Sequence, residues 1–527
     1  MKNHPDMSDL IRIGVDVGGT NTDAVLMEGR NVRAIYKAPT SRNVNDGVVS
    51  AIKRVLELCR VDPEDVQIIM VGTTHFTNAF VERKHLQPVG VLRLALPATR
   101  GVSPMVDWPD AVSAVIGKHH YLVAGGYEFD GRPISKLDEK AIASAAQDMR
   151  RKGLRAVAIS GVFSPVSSAM EEHAGDIVAG ELPDASITLS SRIGRIGLLE
   201  RENAAIMNAC LTGLSADFIT SFQLALAELG IPAPFYISQN DGTLMSAGFV
   251  KQYPVLTFAS GPTNSIRGAA YLSGIKHAVV VDIGGTSTDV GMLVNGFPRK
   301  SSVAEDVDGI RTNFHTPDIL SLGLGGGSLV SQNGEIRIGP QSVGHRLLED
   351  ALIFGGEQLT ATDIAVAAGF VEIGNRSAVA NLPKALIEET LNVIHNKVEE
   401  AVDRLKTSPE PLPLILVGGG SILIRKSIAG TTECIIPEHA QVANAIGASI
   451  AQAGGETDKV YSYQQITREA AIESAKTDAI NQAVAAGADE KGIEIIDFEE
   501  LPLTYMPGNA VRIRVKAAGV LRSRQGA

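Results

Sequence analysis

The sequence has few of the residues on which several classes of protein depend. Only three of its 527 residues are cysteines, and they lie far apart at Cys59, Cys210 and Cys434. That spacing is not typical of a disulfide scaffold or a metal-binding cysteine pair, and it suits a reducing cytoplasm. The 11 histidines show no His-x-x-x-His pattern. The sequence therefore predicts no dedicated zinc site.

Positive charge and long apolar runs are also lacking. The net charge is −11, which argues against a nucleic-acid-binding surface. There is no run of about 18 apolar residues, so we predict no membrane-spanning helix. Residues 1–10 are polar and lack the apolar centre of a signal peptide. With 44% hydrophobic residues and 53 glycines, we expect a cytoplasmic, loop-rich α/β protein of two or three domains.

A glycine-rich pattern near the middle of the chain gives the first positive indication of function. Residues 279–293 read VVVDIGGTSTDVGML, which predicts a strand, a tight turn and a second strand. Glycines in the turn allow backbone N–H groups to point into one small space, as in anion-binding sites. Asp282 ends the first strand, where it is placed to hold magnesium through water, and Asp289 begins the second. The predicted phosphate contacts are Gly284, Gly285, Thr286 and Ser287.

The same pattern occurs near the start of the chain. Residues 13–27 read IGVDVGGTNTDAVLM, and Asp16 precedes Asp282 by 282 − 16 = 266 residues. One such motif is also compatible with an ordinary hairpin turn. Two matched copies favour a duplicated domain with a nucleotide between the halves. The corresponding candidates are Asp16 for magnesium and Gly18, Gly19, Thr20, Asn21 and Thr22 for phosphate.

Two further glycine runs follow apolar segments. Such runs let a ligand approach the backbone closely, although they also occur as plain loops. The second run follows a buried strand and suits an adenosine-binding loop. The candidate residues are Gly325, Gly326, Gly327, Gly418, Gly419, Gly420 and Ser421.

Polar residues that follow strands supply candidate substrate contacts. Small hydroxyl residues at the carboxyl end of a strand commonly line a site. The alternative is structural, because Thr73 and Thr74 equally suit a helix cap and the charges at 200–202 suit a solvated helix start. The candidates are Thr73, Thr74, Asn78, Arg83, Glu200, Arg201, Asn240 and Asp363.

In these motifs, taken in order, the chain resembles the ATP-dependent hydantoinase/oxoprolinase family, of the hydantoin-utilisation A type. The motifs cover 11–455 and are GVDVGGT at 14–20, GTT at 72–74, TNA at 77–79, ER at 82–83 and 200–201, SGP at 260–262, the hairpin motif at 282–289, GGGS at 325–328, TD at 362–363 and PEHA at 437–440. The resemblance implies the fold of actin, sugar kinases and heat-shock ATPases. That fold has two ribonuclease-H-like domains with an ATP cleft between them.

The resemblance gives three expected segments. They are an N-terminal actin-like domain at 11–192, a second actin-like domain at 193–455 and a small C-terminal α+β segment at 456–527. Residues 88–135, rich in proline and glycine, are expected to be irregular. Only 527 − 455 = 72 residues follow the shared core, fewer than in many relatives.

The implied activity is ATP-driven opening of a cyclic amide such as a hydantoin, 5-oxoproline or a related lactam. ATP and magnesium are the expected cofactors, with Asp16, Asp282 and Asp289 as catalytic residues. A companion hydantoinase subunit is the expected partner, and a self-sufficient homodimer is the alternative. Two other functions stay open, a small-molecule kinase and a non-catalytic ATPase switch, because fold alone does not separate them.

Overall fold

The computed structural model describes residues 10–18, 21–39, 44–301, 305–314, 316–333, 335–450, 452–504, 506 and 508–522. The candidates Gly19 and Thr20 lie outside the described residues. The other sequence candidates lie within them. All statements below about what is absent concern this described part of the chain.

The described residues form a mixed α/β structure, as predicted. The strands are β1 Ile11–Val17, β2 Asn21–Glu28, β3 Asn31–Pro39, β4 Ile68–Thr73, β5 Val89–Leu96, β6 His119–Ala124, β7 Ala156–Gly161, β8 Ser186–Leu189, β9 Phe235–Ser238, β10 Leu244–Ser246, β11 Ala278–Ile283, β12 Thr288–Val294, β13 Phe297–Pro298, β14 Glu305–Val307, β15 Ile310–Thr312, β16 Ile319–Leu322, β17 Ser328–Asn333, β18 Glu335–Ser342, β19 Leu412–Val417, β20 Thr431–Ile435, β21 Ala453–Ser462, β22 Ala488–Pro502 and β23 Ala510–Leu521. The helices are α1 Val44–Cys59, α2 His75–Val81, α3 Asp110–Ile116, α4 Glu139–Arg151, α5 Ala169–Glu181, α6 Leu198–Glu228, α7 Ala247–Gln252, α8 Ser260–Ser273, α9 Leu347–Asp350, α10 Ala361–Ala367, α11 Lys384–Leu405, α12 Ala443–Ile450 and α13 Arg468–Ala486.

Two sheets repeat one strand arrangement. In the first sheet, β3, β2 and β1 are antiparallel neighbours, and β4 and β9 follow in parallel. In the second sheet, β13, β12 and β11 are antiparallel neighbours, and β19 and β20 follow in parallel. Identical order and direction in both sheets confirm the predicted pair of ribonuclease-H-like cores.

A third sheet lies where the sequence analysis predicted irregular structure. Strands β5 to β8 form a parallel sheet in the order β6-β5-β7-β8. The expectation for 88–135 was therefore wrong, since this stretch contains β5, α3 and β6. Parallel strands are buried on both faces, so their sequences lack the alternation of apolar and polar residues that marks a half-exposed strand. Short apolar runs separated by loops are therefore difficult to recognise as strands.

The C-terminal residues extend the first sheet. Strand β21 pairs with β10, β23 pairs with β21, and β22 forms the outer edge, giving nine strands in the order β22-β23-β21-β10-β9-β4-β1-β2-β3. Strands β9 and β10, at 235–246, also belong to this sheet. Strand pairing therefore crosses both expected boundaries, at 192 and at 455. The three-segment division of the sequence stays a prediction.

Helices α8 and α12 pack directly against each other between the two repeated sheets. They touch through glycines, because a Cβ atom placed on Gly268 would lie 1.8 Å from the carbonyl oxygen of Ala443. A Cβ atom on Gly447 would likewise lie 1.8 Å from the carbonyl oxygen of Asn264. No larger residue fits this crossing unless the helices separate.

Helix α6 is long and apolar enough to cross a membrane by length and composition alone. Half of its most apolar window is buried inside the structure, where it packs against β7 and β8. Its first turns also bury Arg201 and Glu202. This is the environment of a core helix.

Candidate functional site

The two predicted strand–turn–strand motifs are confirmed, and they match residue for residue. Asp16 pairs with Asp23 across the first hairpin, as Asp282 pairs with Asp289 across the second. The turns close alike, because the N–H of Gly18 donates to the carbonyl of Asn21 at 3.0 Å. In the second turn the N–H of Gly284 donates to the carbonyl of Ser287 at 2.9 Å. The repeat in the sequence is therefore also a repeat in strand pairing and turn hydrogen bonding.

Each strand-end aspartate lies over a glycine of the neighbouring parallel segment. A Cβ atom on Gly72 would lie 2.1 Å from Oδ1 of Asp16, and one on Gly418 would lie 2.2 Å from Oδ1 of Asp282. Because glycine has no side chain, each carboxylate has room to lie across the end of the sheet. This places both carboxylates at the carboxyl ends of parallel strands, where ligands of α/β sheets commonly bind.

A cavity of about 530 Å³ lies between the two hairpins. Its volume is in the range of small-molecule and cofactor sites. Most of the predicted nucleotide residues line it, together with one predicted substrate residue. They are Asp16, Gly18, Asn21, Thr74, Asp282, Gly284, Gly285, Thr286, Ser287, Asp289, Gly326, Gly418, Gly419 and Gly420.

Amide side chains from both crossing helices hold the first hairpin's aspartates. Asn264 of α8 donates from Nδ2 to Oδ1 of Asp16 at 3.2 Å, and Asn444 of α12 donates to Oδ2 at 3.0 Å. The same Nδ2 of Asn444 lies 3.1 Å from Oδ2 of Asp23. Lys37 donates from Nζ to that Oδ2 at 2.8 Å. The helix crossing therefore fixes this carboxylate pair.

Hydroxyl groups hold the second hairpin's aspartates. Ser265 of α8 donates from Oγ to Oδ2 of Asp282 at 2.5 Å. Ser321 of β16 donates from Oγ to Oδ1 of Asp289. Because Asn264 and Ser265 are consecutive in α8, one helix turn holds a carboxylate from each half of the molecule.

Burial makes these carboxylates reluctant to ionise. Loss of hydration raises the pKa of Asp16 to about 7, and the nearby Asp23 and Asp282 charges add to the effect. Burial also raises the pKa of Asp289 to about 6, with Asp282 contributing, and it raises the pKa of Asp282. Several acidic groups forced into one low-dielectric space favour a bound cation.

The glycine runs pack against the second hairpin's turn. The N–H of Gly326 donates to the carbonyl of Gly284 at 2.9 Å, and that of Gly327 donates to the carbonyl of Gly285 at 2.7 Å. The N–H of Gly420 donates to the carbonyl of Ile283 at 2.7 Å. These runs therefore support the turn as well as line the cavity. Gly325, Gly327, Ser421 and Thr22 do not line it.

Three of the four predicted substrate residues near α2 lie outside the cavity wall. Thr73 accepts a hydrogen bond at Oγ1 from the N–H of His75 at 3.1 Å, as in a helix-start turn. Asn78 donates to Oγ1 of Thr74 at 3.3 Å. Arg83 donates to Asp308 at 2.7 Å. Only Thr74 of this group lines the cavity.

The remaining predicted substrate residues lie outside the cavity wall. Arg201 is buried, donating from Nε to Oγ of Ser190 and from Nη1 to the carbonyls of Arg195 and Gly197. Asp363 caps α10 and accepts hydrogen bonds from Thr360 and the N–H of Ile353. In this structure both side chains are therefore used in internal hydrogen bonds, and substrate contact by Arg201 and Asp363 stays a prediction.

Glu200 and Asn240 are also absent from the cavity wall. Glu200 lies in the first turn of α6, a common position for an acidic residue. The backbone of Asn240 bonds to Leu256 and to Thr263. This position agrees with the alternative that the charges at 200–202 begin a helix, and substrate contact by Glu200 and Asn240 stays a prediction.

The sequence analysis did not single out several polar residues of the site. Lys37, Ser265 and Asn444 line the cavity, and Asn264 is buried beside Asp16. From sequence, the SGPTNS stretch is a candidate source of backbone N–H groups for an anion, whereas the structure uses its side chains at 264 and 265. No local pattern marks Lys37 or Asn444.

Apolar side chains line another part of the same cavity. They come from the α9 region, from the loop after α10 and from the turn after β19. They are Leu347, Leu348, Phe354, Ile373 and Ile422. The cavity thus offers both carboxylates and an apolar surface, which a nucleotide with a charged and an aromatic part would need.

Two family models match the chain. The model of the hydantoinase/oxoprolinase N-terminal region matches residues 12–182, and that of hydantoinase/oxoprolinase matches residues 201–375. The chain belongs to the hydantoinase/oxoprolinase family. This confirms the resemblance that the sequence motifs indicated.

Several known proteins are similar to this family member. The alpha subunit of caprolactamase from Pseudomonas jessenii is 26% identical over 421 residues, covering 72% of this chain and 59% of that protein. The gamma subunit of acetophenone carboxylase from Aromatoleum aromaticum is 27% identical, covering 68% of this chain and 53% of that protein. The chain thus spans less than two thirds of the length of these curated relatives.

A solved structure confirms the fold. The crystal structure of ATP-dependent caprolactamase from Pseudomonas jessenii aligns with a TM-score of 0.76 at 21% identity. The alignment covers 97% of this chain and 88% of that chain. At this identity the likeness establishes a shared architecture and leaves the substrate to be argued from the site.

Proposed function

We propose that this chain uses ATP to phosphorylate the carbonyl oxygen of a small cyclic amide and so opens the ring. The observation that carries the proposal is the pair of matched hairpins facing one cavity. Each hairpin offers a glycine turn and a strand-end carboxylate, Asp16 in one and Asp282 in the other. This is an arrangement for binding and transferring a phosphoryl group between two halves of a molecule.

The donor set of the cavity fits magnesium. The cavity is lined by four carboxylates, those of Asp16, Asp23, Asp282 and Asp289. The described part of its wall contains one lysine and no arginine. Hard oxygen donors suit magnesium, which keeps several waters and needs only one or two protein carboxylates. Within the described chain there is no group of three or more His, Cys, Asp or Glu residues able to hold a metal directly. We therefore assign Asp16 and Asp282 to magnesium held through water, where it would neutralise phosphate charge.

The remaining residues divide between the two ends of ATP. Gly284, Gly285 and Thr286 of the second turn suit the phosphates, because tight turns aim N–H groups at an anion. Gly418 to Gly420 and Ile422 suit the adenosine, because glycines let a flat ring lie against the backbone and apolar side chains cover its faces. Gly18 and Asn21 complete the phosphate site from the first half.

The proposed chemistry follows from the low reactivity of an amide. As the bond from the substrate's carbonyl oxygen to the γ-phosphorus forms, the bond from that phosphorus to the β–γ bridging oxygen breaks, and ADP leaves. Water adds to the carbon of the resulting imidate phosphate, and the ring C–N bond then breaks to leave an amine and an acyl phosphate. A second water hydrolyses the acyl phosphate, which releases inorganic phosphate and gives the amino acid. The chain's contribution is to orient the reactants and to stabilise charge, which can lower a barrier by several kcal/mol.

The cyclic amide is proposed from the relatives. One is named for caprolactam and the family is named for hydantoin and oxoproline. Thr74 at the start of α2 and Gly261 and Pro262 in the first turn of α8 line the cavity and are our candidates for contacting the ring. The other predicted substrate residues lie outside the cavity wall.

A companion subunit is proposed for the water-addition step. Two relatives are named as subunits, one of caprolactamase and one of acetophenone carboxylase. An activated imidate would be lost to bulk solvent unless it reacted in a closed space. A homodimer that completes the reaction unaided is the alternative. We also propose a cytoplasmic location, which suits three free cysteines.

The acetophenone carboxylase relative supports a second candidate function. A ketone presents the same kind of oxygen to the γ-phosphoryl group, in its enol form. The chain would then activate a ketone for carboxylation. The residues that line the cavity suit both a cyclic amide and a ketone, so the compound that is turned over distinguishes the two candidate functions.

The proposal is tested by product analysis. The purified chain, alone and with its candidate companion subunit, is incubated with ATP, magnesium and a panel of hydantoins, 5-oxoproline, lactams and ketones. ADP release that depends on a cyclic amide and matches ring opening supports the proposal. Phosphate retained on an organic product indicates a kinase, bicarbonate-dependent turnover of a ketone indicates a carboxylase, and ADP release indifferent to every compound indicates an ATPase switch.

A further inference from the structure

Lys37 is the one lysine or arginine in the described wall of the cavity. It lies on β3, directly opposite Asp23 of β2. We propose that Lys37 contacts the γ-phosphoryl group of ATP and stays with that group as it passes to the substrate. This inference rests on the proposed function and names a catalytic residue that no motif of the sequence marks.

The position of Lys37 between the hairpins is the first argument. Its Nζ lies beside the Asp23 carboxylate of the first hairpin. The cavity that Lys37 lines is also lined by Asp282 and Gly284 of the second hairpin. A cation in the wall of a cavity that both hairpins line lies where the transferred group must pass if each hairpin holds one side of that group.

The freedom of Lys37 to leave Asp23 is the second argument. The lysine side chain is 36% exposed, whereas that of Asp23 is 4% exposed. Asp23 also accepts a hydrogen bond from Asn444, so its carboxylate keeps a donor when the ammonium turns into the cavity. A flexible four-carbon side chain with three N–H donors suits a phosphoryl group that moves by a few ångströms.

The charge balance is the third argument. ATP would bring several negative charges to a cavity that already has four carboxylates. Phosphoryl transfer concentrates charge on the γ-phosphoryl oxygens, on the attacking oxygen and on the leaving oxygen. The glycine turns supply only dipoles, so Lys37 is the protein's only full positive charge from a lysine or arginine in the described cavity wall.

The competing view is that Lys37 and Asp23 form an ordinary cross-strand ion pair. Pairs of this kind contribute little to stability when partly exposed. A matched control is the pair of Lys459 and Asp478, whose 2.7 Å separation and part-exposed lysine resemble those of the site pair. Lys459 lies outside the cavity.

The test compares Lys37→Met, Lys37→Arg and Lys459→Met. We expect Lys37→Met to lower kcat about 10²–10³-fold, as when one charge-stabilising donor is removed, with KM for the cyclic amide changed less than threefold. Lys37→Arg should recover part of the loss. Lys459→Met should match the wild type, and thermal unfolding should show all three variants folded.

Binding measurements separate this inference from the proposed function. We expect Lys37→Met to bind a non-hydrolysable ATP analogue at least tenfold more weakly than the wild type and to bind ADP equally well, since only the analogue has a γ-phosphoryl group. Equal effects on both nucleotides, or none on kcat, would overturn the role of Lys37. If no cyclic amide is turned over, the proposed function fails while the analogue and ADP affinities still decide the place of Lys37. If the wild type binds neither nucleotide, both fail.

Discussion

The two hairpins have the same backbone and different surroundings. Asp16 is held by two amide side chains, Asn264 and Asn444, whereas Asp282 is held by one hydroxyl, that of Ser265. The second aspartate of each hairpin differs as well, since Asp23 bonds to Lys37 and Asp289 bonds to Ser321. In the described wall of the cavity, the first half therefore brings a lysine, and the second half brings neither a lysine nor an arginine.

This difference is what the proposed function would require of a duplicated element with two tasks. The glycine turn and the strand-end carboxylate are present in both halves, which suits the proposed phosphate and magnesium roles. The residues around them differ, and in the proposed function only one half supplies charge to the group being transferred. The second half instead provides Gly418 to Gly420 and the apolar wall. Changes at equivalent positions of the two hairpins should therefore have unequal effects wherever the surroundings differ.

The largest effect is expected from removing the shared feature. Asp16→Asn and Asp282→Asn should each lower ATP turnover about 10³-fold, since each removes a carboxylate assigned to magnesium. The measurement is steady-state ADP formation at saturating magnesium. Thermal unfolding is the control, and it should show no loss of stability. Near wild-type turnover in both variants would contradict a shared cleft, and in one variant it would remove that hairpin from the site.

The next effect concerns pH and stability without metal. The folded-state pKa of Asp16 is raised from 3.8 to about 7, so the folded protein keeps a proton that the unfolded chain has lost. The contribution of Asp16 to stability therefore falls as pH rises from about 4 to about 7 and is constant outside that window. Between pH 4 and pH 7, the free energy of unfolding of the wild type should therefore fall by on the order of 3–4 kcal/mol relative to that of Asp16→Asn.

The second hairpin gives a matched comparison for this measurement. The pKa of Asp289 is raised to about 6, so Asp289→Asn should show a smaller difference that ends about one pH unit lower. Urea unfolding in the presence of EDTA at pH 4, 5, 6, 7 and 8 measures both. Parallel stability curves for the wild type and the two variants would show that neither carboxyl group titrates as described.

A smaller effect is expected from adding one methyl group beneath each aspartate. Gly72→Ala and Gly418→Ala each place a Cβ atom against a carboxylate, at 2.1 and 2.2 Å, and overpacking of this kind costs about 1–3 kcal/mol. Gly418 also has a φ of +82°, which costs an alanine about 1–2 kcal/mol more. Gly418→Ala should therefore be the less stable variant in urea unfolding.

Gly419 supplies the control for that pair. A Cβ atom on Gly419 would meet no heavy atom within 4 Å, so Gly419→Ala should unfold like the wild type. If Gly72→Ala matched the Gly419 variant, the close contact between Gly72 and Asp16 would not constrain residue 72 to glycine.

The last comparison concerns the difference in turnover between two variants that each lack one hydrogen-bond donor. Ser265→Ala leaves Asp282 without its side-chain donor, whereas Asn264→Ala leaves Asp16 with Asn444. A hydrogen bond to a charged group contributes about 1.5–3 kcal/mol, so Ser265→Ala should reduce turnover more than Asn264→Ala does. Equal reductions would show that the two aspartates are supported equally after all.

Local spacing was enough to predict the two hairpins. They follow from strand residues around Gly-Gly-Thr, and the structure has both strand pairs. These features depend on neighbours within a few residues. The duplicated fold followed from their repetition.

Residues that act through long-range contacts were not predictable in this way. Asn444 reaches Asp16 across 428 positions of sequence, and nothing near Asn444 indicates that contact. Arg201 and Asp363 illustrate a related difficulty, because polar residues beside a motif are used for helix ends and buried networks as readily as for ligands. Only the fold separates these cases.

The order of the strands also sets the order in which the two halves can be completed during synthesis. All strands of the second repeated sheet lie within 278–435, so that sheet closes once its own segment has emerged. The first sheet begins at Ile11, but β10 has no partner on one side until β21 has been synthesised. Strand β21 starts 453 − 246 = 207 residues after β10 ends. At about 5–20 residues per second, that open edge would persist for roughly 10–40 s on the ribosome. The half of the molecule that is translated first is therefore finished last, and its unpaired edge is where a nascent chain of this family most needs protection.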